Sequence, residues 1–308
     1  MDAVIGSLVL LYLIASVILN ILVIVAVLKK GNHTFKDILV ISLSCSLLSE
    51  IGFGFAWEGY GRFIDDSSLE LCKFAGFGAT FSAFISILQL MGLAFERYVS
   101  IIHPVTAHSH FKGYTLAMLF VIPSWAFCII WASLPFYGWG EYMREAVHSY
   151  RCSVVGTGKS YDAKSYNYSL LILFFLAPVL ISTYLLVRVH MELVKTRKRA
   201  GERSTGTTSI TSRIWKYERQ HFFLTCFVII LFFLTWTPYA LSAGWYTFFD
   251  SNPDHVVNYS ALFAKSGLVT NPIIYVLFNK ELRKTLKRKI LERKPLITTD
   301  IQLDSITH

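Results

Sequence analysis

The sequence predicts an all-α membrane protein: a bundle of seven transmembrane helices followed by a short amphipathic helix eight on the cytoplasmic side. Hydrophobic residues make up 54% of the 308 residues and charged residues only 16%, whereas soluble globular proteins average about 25% charged residues. The mean hydropathy is +0.50. Seven apolar stretches are long enough to cross a bilayer core, which takes roughly 20 residues per helix. This composition excludes a disordered chain and an ordinary soluble enzyme.

The apolar stretches define one membrane domain over residues 1–278 and a short cytoplasmic end. The predicted spans are 4–28, 37–57, 72–102, 114–138, 166–190, 220–248 and 259–278. Residues 279–293 alternate Leu and Ile with Lys and Arg. That segment is too charged to cross and favours a helix that lies on the membrane surface. Residues 294–308 form a polar tail.

The distribution of basic residues predicts the orientation of the chain in the membrane. Of the 29 lysine and arginine residues, 22 lie in the loops and tail on one side of the predicted spans, and six lie on the other. The more basic side is cytoplasmic by the positive-inside rule, so the N-terminus is outside and the C-terminus inside. The net charge of +9 therefore reflects topology and attraction to anionic lipid, and does not indicate nucleic-acid binding.

The five cysteines favour one disulfide. Cys72 opens span three on the outer side, and Cys152 lies in the outer loop between spans four and five. Both face an oxidising compartment, so we expect them to pair. No C-x-x-C motif and no Cys/His cluster indicates a metal site.

Three motifs occur at membrane depth on spans three, six and seven. They are Glu96-Arg97-Tyr98, Thr235-Trp236-Thr237-Pro238 and Asn271-Pro272-Ile273-Ile274-Tyr275. Each alone has a plain structural interpretation, as a stop signal or a helix kink. Together, in this order and with Asn20, Trp125 and Pro178 on other spans, they resemble the rhodopsin-like class of G-protein-coupled receptors over nearly the whole chain.

Lys265 restricts the resemblance to one group within this receptor class. It lies inside span seven, six residues before Asn271, where an unpaired ammonium costs roughly 3 kcal/mol. A lysine fits there if a carboxylate shares its charge or its nitrogen is covalently bonded. At this position the receptor class carries lysine almost only in animal opsins, where it forms a Schiff base with retinal. The resemblance therefore implies a light receptor, not an enzyme, with 11-cis-retinal bound at Lys265 in the dark.

The resemblance also implies the lining of the retinal pocket. Span six supplies Trp236, Tyr239 and Phe232, which match the residues that pack against the retinal ring and beneath it. Pocket-facing positions of span three carry four further residues: Ala79, Thr80, Ala83 and Phe84.

The position of the Schiff-base counterion differs from that in the vertebrate visual opsins. Ala75 stands where they carry a span-three glutamate. Two acids are candidates: Glu58 near the outer end of span two, which resembles the counterion position of cnidarian opsins such as those of box jellyfish, and Glu145 in the outer loop. Another anion or a water network is a further alternative. Glu50 is an unusual acid inside span two, where the family's aspartate is missing, and we expect it to replace part of that polar network.

The cytoplasmic ends carry the expected switch. By resemblance, Arg97 pairs with Glu96 and with Glu218 at the foot of span six, while Tyr98, Asn271, Pro272 and Tyr275 complete the motifs that couple to a partner. The implied partner is a heterotrimeric G protein at the plasma membrane, with the stimulatory type, which raises cyclic AMP, as first choice. Arrestin and a receptor kinase are further expected partners.

Alternatives from other classes differ in their sequence requirements. A retinal photoisomerase-type opsin with weak signalling remains open, as does coupling to an inhibitory or calcium-mobilising G protein. A light-driven ion pump needs carboxylates along span three, and none occurs between Cys72 and Glu96. Lys265 disfavours a receptor for a diffusible ligand.

Overall fold

The computed structural model is almost entirely helical. It describes residues 2–30, 32–57, 60, 68–111, 113–144, 152–154, 160–202, 208–249, 254–278 and 283. Within this part of the chain, seven helical segments are long and apolar enough to cross a membrane. Their bounds are Leu10–Leu28, Phe35–Phe55, Leu69–Ile102, Thr115–Tyr137, Tyr161–Arg199, Glu218–Phe249 and Tyr259–Leu277. The predicted seven-helix membrane fold is confirmed. The segment predicted as helix eight lies outside the described residues, apart from Arg283.

The helices often extend beyond the predicted spans. The continuous α-helices are Asp2–Leu28, Phe35–Ser49, Leu69–Ile102, Pro104–His110, Thr115–Ser133, Tyr161–Leu171, Ala177–Glu202, Thr208–Phe249, Asp254–Lys265 and Gly267–Phe278. Hydropathy delimits the apolar portion of a helix, whereas backbone hydrogen bonding continues into polar residues on both sides of the membrane. The short helix Pro104–His110 begins with a proline, whose missing N–H and fixed φ suit the first helical position.

Four spans depart from regular α-helix. Spans two and five each contain a π-helical segment, Glu50–Phe55 and Ile172–Leu176. Span four ends in a 3₁₀ turn, Leu134–Tyr137. Span seven is interrupted at Ser266, between Lys265 and Gly267. Hydrophobic periodicity did not indicate these interruptions, which change the faces that the following residues present.

Span three is the central helix of the bundle. It packs against spans two, four, five and six, and its buried residues include Ile85, Leu90 and Ala94. Buried hydrogen bonds join the helices: Trp125 Nε1 donates to Ser42 Oγ at 2.9 Å, and Gln89 Nε2 donates to Ser124 Oγ at 2.9 Å. Such polar contacts, where lipid offers no competing partners, set the rotation of one helix against another.

A two-stranded antiparallel ribbon, β1 (Met143–Arg144) and β2 (Cys152–Ser153), lies in the loop between spans four and five. The predicted disulfide between Cys72 and Cys152 is confirmed and ties β2 to the N-terminal end of span three. The carbonyl of Cys152 also lies 2.8 Å from the place that a Cβ on Gly76 would occupy. Glycine therefore permits the ribbon to lie directly on span three.

Candidate functional site

The larger of the two described cavities lies between spans two, three, five, six and seven, beneath β2. All eight residues predicted to line a retinal pocket line this one cavity: Ala79, Thr80, Ala83, Phe84, Phe232, Trp236, Tyr239 and Lys265. Most of the remaining lining is apolar, as is typical of a pocket for a largely hydrocarbon ligand. The structure thus brings together residues that are up to 186 positions apart along the chain.

Lys265 is positioned by the interruption of span seven. It is the last residue of its helix, and the next helix begins at Gly267. The hydroxyl of Tyr12 on span one donates a hydrogen bond of 2.5 Å to the Lys265 carbonyl. The Lys265 Nζ lies 3.8 Å from the centre of the Phe55 ring on span two, an arrangement that favours a cation. The lysine amine is therefore held inside the bundle, at the wall of the cavity formed by span two.

Aromatic rings on spans three, five and six form much of the cavity wall. The Trp236 ring stacks on Phe232 with centroids 5.7 Å apart and meets Tyr239 edge-on at 6.0 Å. Across the cavity, Phe84 stacks on Phe174 with centroids 3.8 Å apart. Together these rings give apolar walls to a cavity that Lys265 also lines.

Sequence reasoning missed the contribution of span five. Phe174 and Phe175 line the cavity from the π-helical segment of that span. The available signal was an aromatic pair three and four residues before Pro178, on a span already assigned to the bundle. An α-helical period would have assigned these two rings to a different face of span five, because the π turn is wider.

The outer loop closes the cavity above span three. Cys152, Ser153 and Val154 line it. Tyr142, 1% exposed, donates a hydrogen bond of 2.8 Å to the Ala132 carbonyl at the end of span four. Burial raises the pKa of the Tyr142 phenol well above its usual value, so this group stays a neutral donor. The loop is thereby attached to span three by the disulfide and to span four by the phenol.

The acid that faces this cavity is Glu50. It is 4% exposed, and it is the carboxylate among the described residues that line the cavity with Lys265. Sequence analysis assigned it only to a polar network. The predicted counterions, Glu58 and Glu145, lie outside the described residues, so their assignment stays a prediction.

The C-terminal end of span three carries both predicted ion pairs. Arg97 Nε and Nη2 each donate to Glu96 at 2.5 Å, in a two-point contact, and Arg97 Nη1 donates to Glu218 at 3.2 Å. Arg97 and Glu96 are each 5% exposed, and Ser100 Oγ donates to Glu96 at 3.0 Å. The ion pair with Glu218 links span three to the start of span six.

The comparisons with known proteins agree with this geometry. The family "7 transmembrane receptor (rhodopsin family)" matches residues 19–275, which is most of the chain. The chain belongs to the rhodopsin family of seven-transmembrane receptors. Its family is thus one of receptors rather than enzymes, and its spans, cavity and cytoplasmic ion pairs belong to a receptor.

Similar proteins include several opsins, which confirms the predicted resemblance to animal opsins. The receptor is 29% identical over 271 residues to the green-sensitive opsin of Gallus gallus, covering 84% of this chain and 71% of that one. It is 28% identical over 270 residues to rhodopsin of Petromyzon marinus, and the match covers 85% of this chain and 73% of that rhodopsin. The crystal structure of squid rhodopsin matches with a TM-score of 0.83 at 23% identity, over 95% and 87% of the two chains, and supports the fold.

Three of the remaining motif residues of the receptor line a second, smaller cavity. Asn271, Pro272 and Tyr275 line it together with Asn20, whose Nδ2 donates to the Leu268 carbonyl at 3.1 Å. Asn271 is 4% exposed. Tyr98 does not line this cavity, and its ring instead packs edge-on against His103, with centroids 5.8 Å apart.

Proposed function

We propose that this receptor is a light sensor that binds retinal through a Schiff base at Lys265 and activates a heterotrimeric G protein. One observation carries the proposal: the Lys265 amine lies in a cavity inside the bundle whose lining is mostly apolar and aromatic. A diffusible polar ligand would find few partners in such a lining. An aldehyde on a long hydrocarbon chain matches a mostly apolar lining that includes an amine. The opsin relatives support the same assignment.

The residues of the chain have separate roles in this proposal. Retinal, when bound, supplies light absorption and a change of shape on isomerisation. The Lys265 amine anchors it, and the rings of Phe232, Trp236 and Tyr239 line the wall that a change of shape would press on. Pro238 lies within the same helix, close to those rings, and weakens its hydrogen-bond ladder. A displacement of Trp236 is thus expected to move the cytoplasmic part of span six.

Arg97 is the residue that becomes available to the G protein on activation. In the inactive state Glu218 holds span six against span three through Arg97. Movement of span six separates this pair and exposes Arg97, with the Tyr275 region, to the partner. The 22 basic residues predicted on the cytoplasmic side suit an acidic partner surface. We place the receptor in the plasma membrane with its N-terminus outside, in accordance with that distribution.

The first test is an absorption spectrum of the protein reconstituted with 11-cis-retinal. Lys265→Ala should remove visible absorption while the protein is still expressed and inserted. Lys73→Ala is a matched control, because Lys73 lies at the outer end of span three beside Glu70 and does not line the cavity. A covalently attached chromophore that survives Lys265→Ala would overturn the proposal.

The second test addresses the partner in cells supplied with retinal. Light should raise cyclic AMP, and Lys265→Ala should abolish the response. Arg97→Ala should abolish signalling while leaving the dark spectrum unchanged, because Arg97 does not line the retinal cavity. The stimulatory subtype rests on the resemblance of Glu58 to the cnidarian position. A fall in cyclic AMP or a calcium response alone would overturn the subtype, and light-driven turnover of retinal without any G-protein response would favour a photoisomerase.

A further inference from the structure

Glu50 is a buried acid at membrane depth that the receptor motifs do not use. It lies in span two and is 4% exposed. An ionisable side chain at such depth is costly and marks a functional site when a partner of opposite charge is at hand. The cavity provides that partner, because Glu50 and Lys265 line it together.

The π-helical segment of span two accounts for this placement. Glu50 begins the segment Glu50–Phe55, and Ala56 N–H donates to the Ile51 carbonyl in the wider i to i+5 pattern. A wider turn brings residues five apart nearly above one another, whereas an α-helix would direct Phe55 away from Glu50. The centre of the Phe55 ring lies 3.8 Å from Lys265 Nζ. Glu50 and Gly54 line the cavity. One face of span two therefore contributes both a ring and a carboxylate to the surroundings of Lys265.

Packing against span three holds this face in position. A Cβ on Gly78 would lie 2.6 Å from the backbone of Phe53, and a Cβ on Gly54 would lie 3.1 Å from the Ala79 Cβ. Such close approach leaves the segment little freedom to rotate about the helix axis. The orientation of Glu50 toward the cavity is therefore set by backbone packing.

Electrostatic attraction also favours the pairing of Glu50 with Lys265. The charges of Glu50 and Lys265 attract one another, and the attraction is weakly screened in a mostly apolar cavity. Among the residues that the structure describes, the other titratable side chains that line the cavity or contact Lys265 are phenols: Tyr168 and Tyr239 in the cavity lining, and Tyr12 beside the Lys265 carbonyl and within electrostatic reach of Glu50. A phenol is neutral at physiological pH and supplies no negative charge.

We infer that Glu50 is the counterion of the protonated Schiff base at Lys265, an inference that rests on the retinal site proposed above. Condensation of the Lys265 ammonium with the aldehyde releases one water and leaves the positive charge and one proton on the imine nitrogen. The Glu50 carboxylate compensates that charge and keeps the proton bound. Since only the protonated form absorbs visible light, Glu50 determines whether the pigment responds to visible or ultraviolet light.

The experiment compares Glu50→Gln with the wild type after reconstitution with 11-cis-retinal. Without the carboxylate the charged form is disfavoured, so the midpoint of the spectral titration should fall by roughly 2 pH units or more. The band should then move from the visible to the near ultraviolet at neutral pH. Acid or added halide should restore the visible band. The C=N stretch in the Raman spectrum should lose its shift in D₂O, an independent signature of deprotonation.

Three carboxyl variants serve as controls. Glu58→Gln and Glu145→Gln test the acids predicted from sequence, and Glu70→Gln removes an exposed carboxylate at the outer end of span three. All three should keep the visible band at neutral pH. Ultraviolet conversion by Glu58→Gln or Glu145→Gln, with Glu50→Gln unchanged, would overturn the inference.

Acid denaturation separates failure of this inference from failure of the retinal site. Denaturation in acid protonates any Schiff base and reveals covalently bound retinal whatever the counterion. If Glu50→Gln holds bound retinal and stays visible at neutral pH, Glu50 is not the counterion, although the site at Lys265 stands. If the wild type holds no bound retinal, both proposals fall. Should Glu50→Gln fail to fold, Glu50→Asp should give a visible pigment with a displaced maximum, and an unchanged maximum would contradict the assignment.

Discussion

At the scale of single residues, Arg97 is held by two carboxylates in different environments. Glu96 is as buried as Arg97 and adjacent in sequence, so that pair is internal to span three. The Glu218 side chain is 32% exposed and belongs to span six. The contact with Glu218 is therefore the one that the proposed movement of span six would separate, whereas the contact with Glu96 would persist.

Glu218→Gln is expected to raise G-protein activation in the dark. The variant removes the charge that Arg97 holds across the two spans. Because the pair is partly exposed, its contribution is about 1 kcal/mol or less, which corresponds to a rise in the active fraction of about fivefold or less. The measurement is nucleotide exchange on the G protein in membranes without light.

Glu192→Gln is the matched control for that experiment. Glu192 is also a partly exposed carboxylate, on the long helix Ala177–Glu202, and its partners Lys195 and Arg199 belong to that same helix. Its loss should leave dark activity unchanged. Equal dark activity of Glu218→Gln and wild type would show that the ion pair does not restrain span six.

At the scale of helices, the contact between spans two and three depends on glycine. Gly78→Ala places a Cβ 2.5–2.6 Å from the Cβ and backbone of Phe53, which cannot move as a flexible side chain can. We expect the two spans to separate, at a cost of about 1–3 kcal/mol. The change should appear as a lower midpoint of thermal unfolding in detergent, together with slower uptake of retinal.

Gly52→Ala provides the contrast within the same pair of spans. A Cβ at Gly52 meets nothing within 4 Å, so it should be neutral or slightly stabilising through higher helix propensity. Similar unfolding midpoints for the two variants would contradict the role of close packing in orienting the π-helical segment.

At the scale of the whole molecule, the disulfide joins the outer loop to the central helix over 80 residues of sequence. The double variant Cys72→Ser/Cys152→Ser should have a free energy of unfolding lower by about 2–5 kcal/mol. Because Cys152, Ser153 and Val154 close the cavity, the retinal-bound form should also lose its chromophore to hydroxylamine faster.

Cys226→Ser controls for the loss of a thiol, since Cys226 is a free, half-buried cysteine on span six. It should leave both the unfolding midpoint and the hydroxylamine rate close to wild type. A double variant as resistant to hydroxylamine as the wild type would show that the loop covers the cavity without the disulfide.

The sequence alone determined the architecture and much of the site. Hydropathy and length are local properties of the chain, so seven spans could be counted without knowing how they pack. Fixed motifs on those spans predicted Lys265, the Arg97 ion pairs and the seven other cavity residues by resemblance, and the loop positions of Cys72 and Cys152 predicted the disulfide. Each of these inferences needed only which residue lies on which span and at what depth.

The tertiary structure decided which side chains meet inside the bundle. Hydropathy does not report the rotation of a helix about its axis, and the π-helical segments on spans two and five change that rotation within a few residues. The sequence therefore indicates Glu50 as an unusual acid, but not that it lines the same cavity as Lys265. Its position follows from the backbone contact between Gly78 and Phe53 and from the interruption of span seven at Ser266, which are properties of packed helices rather than of any one segment.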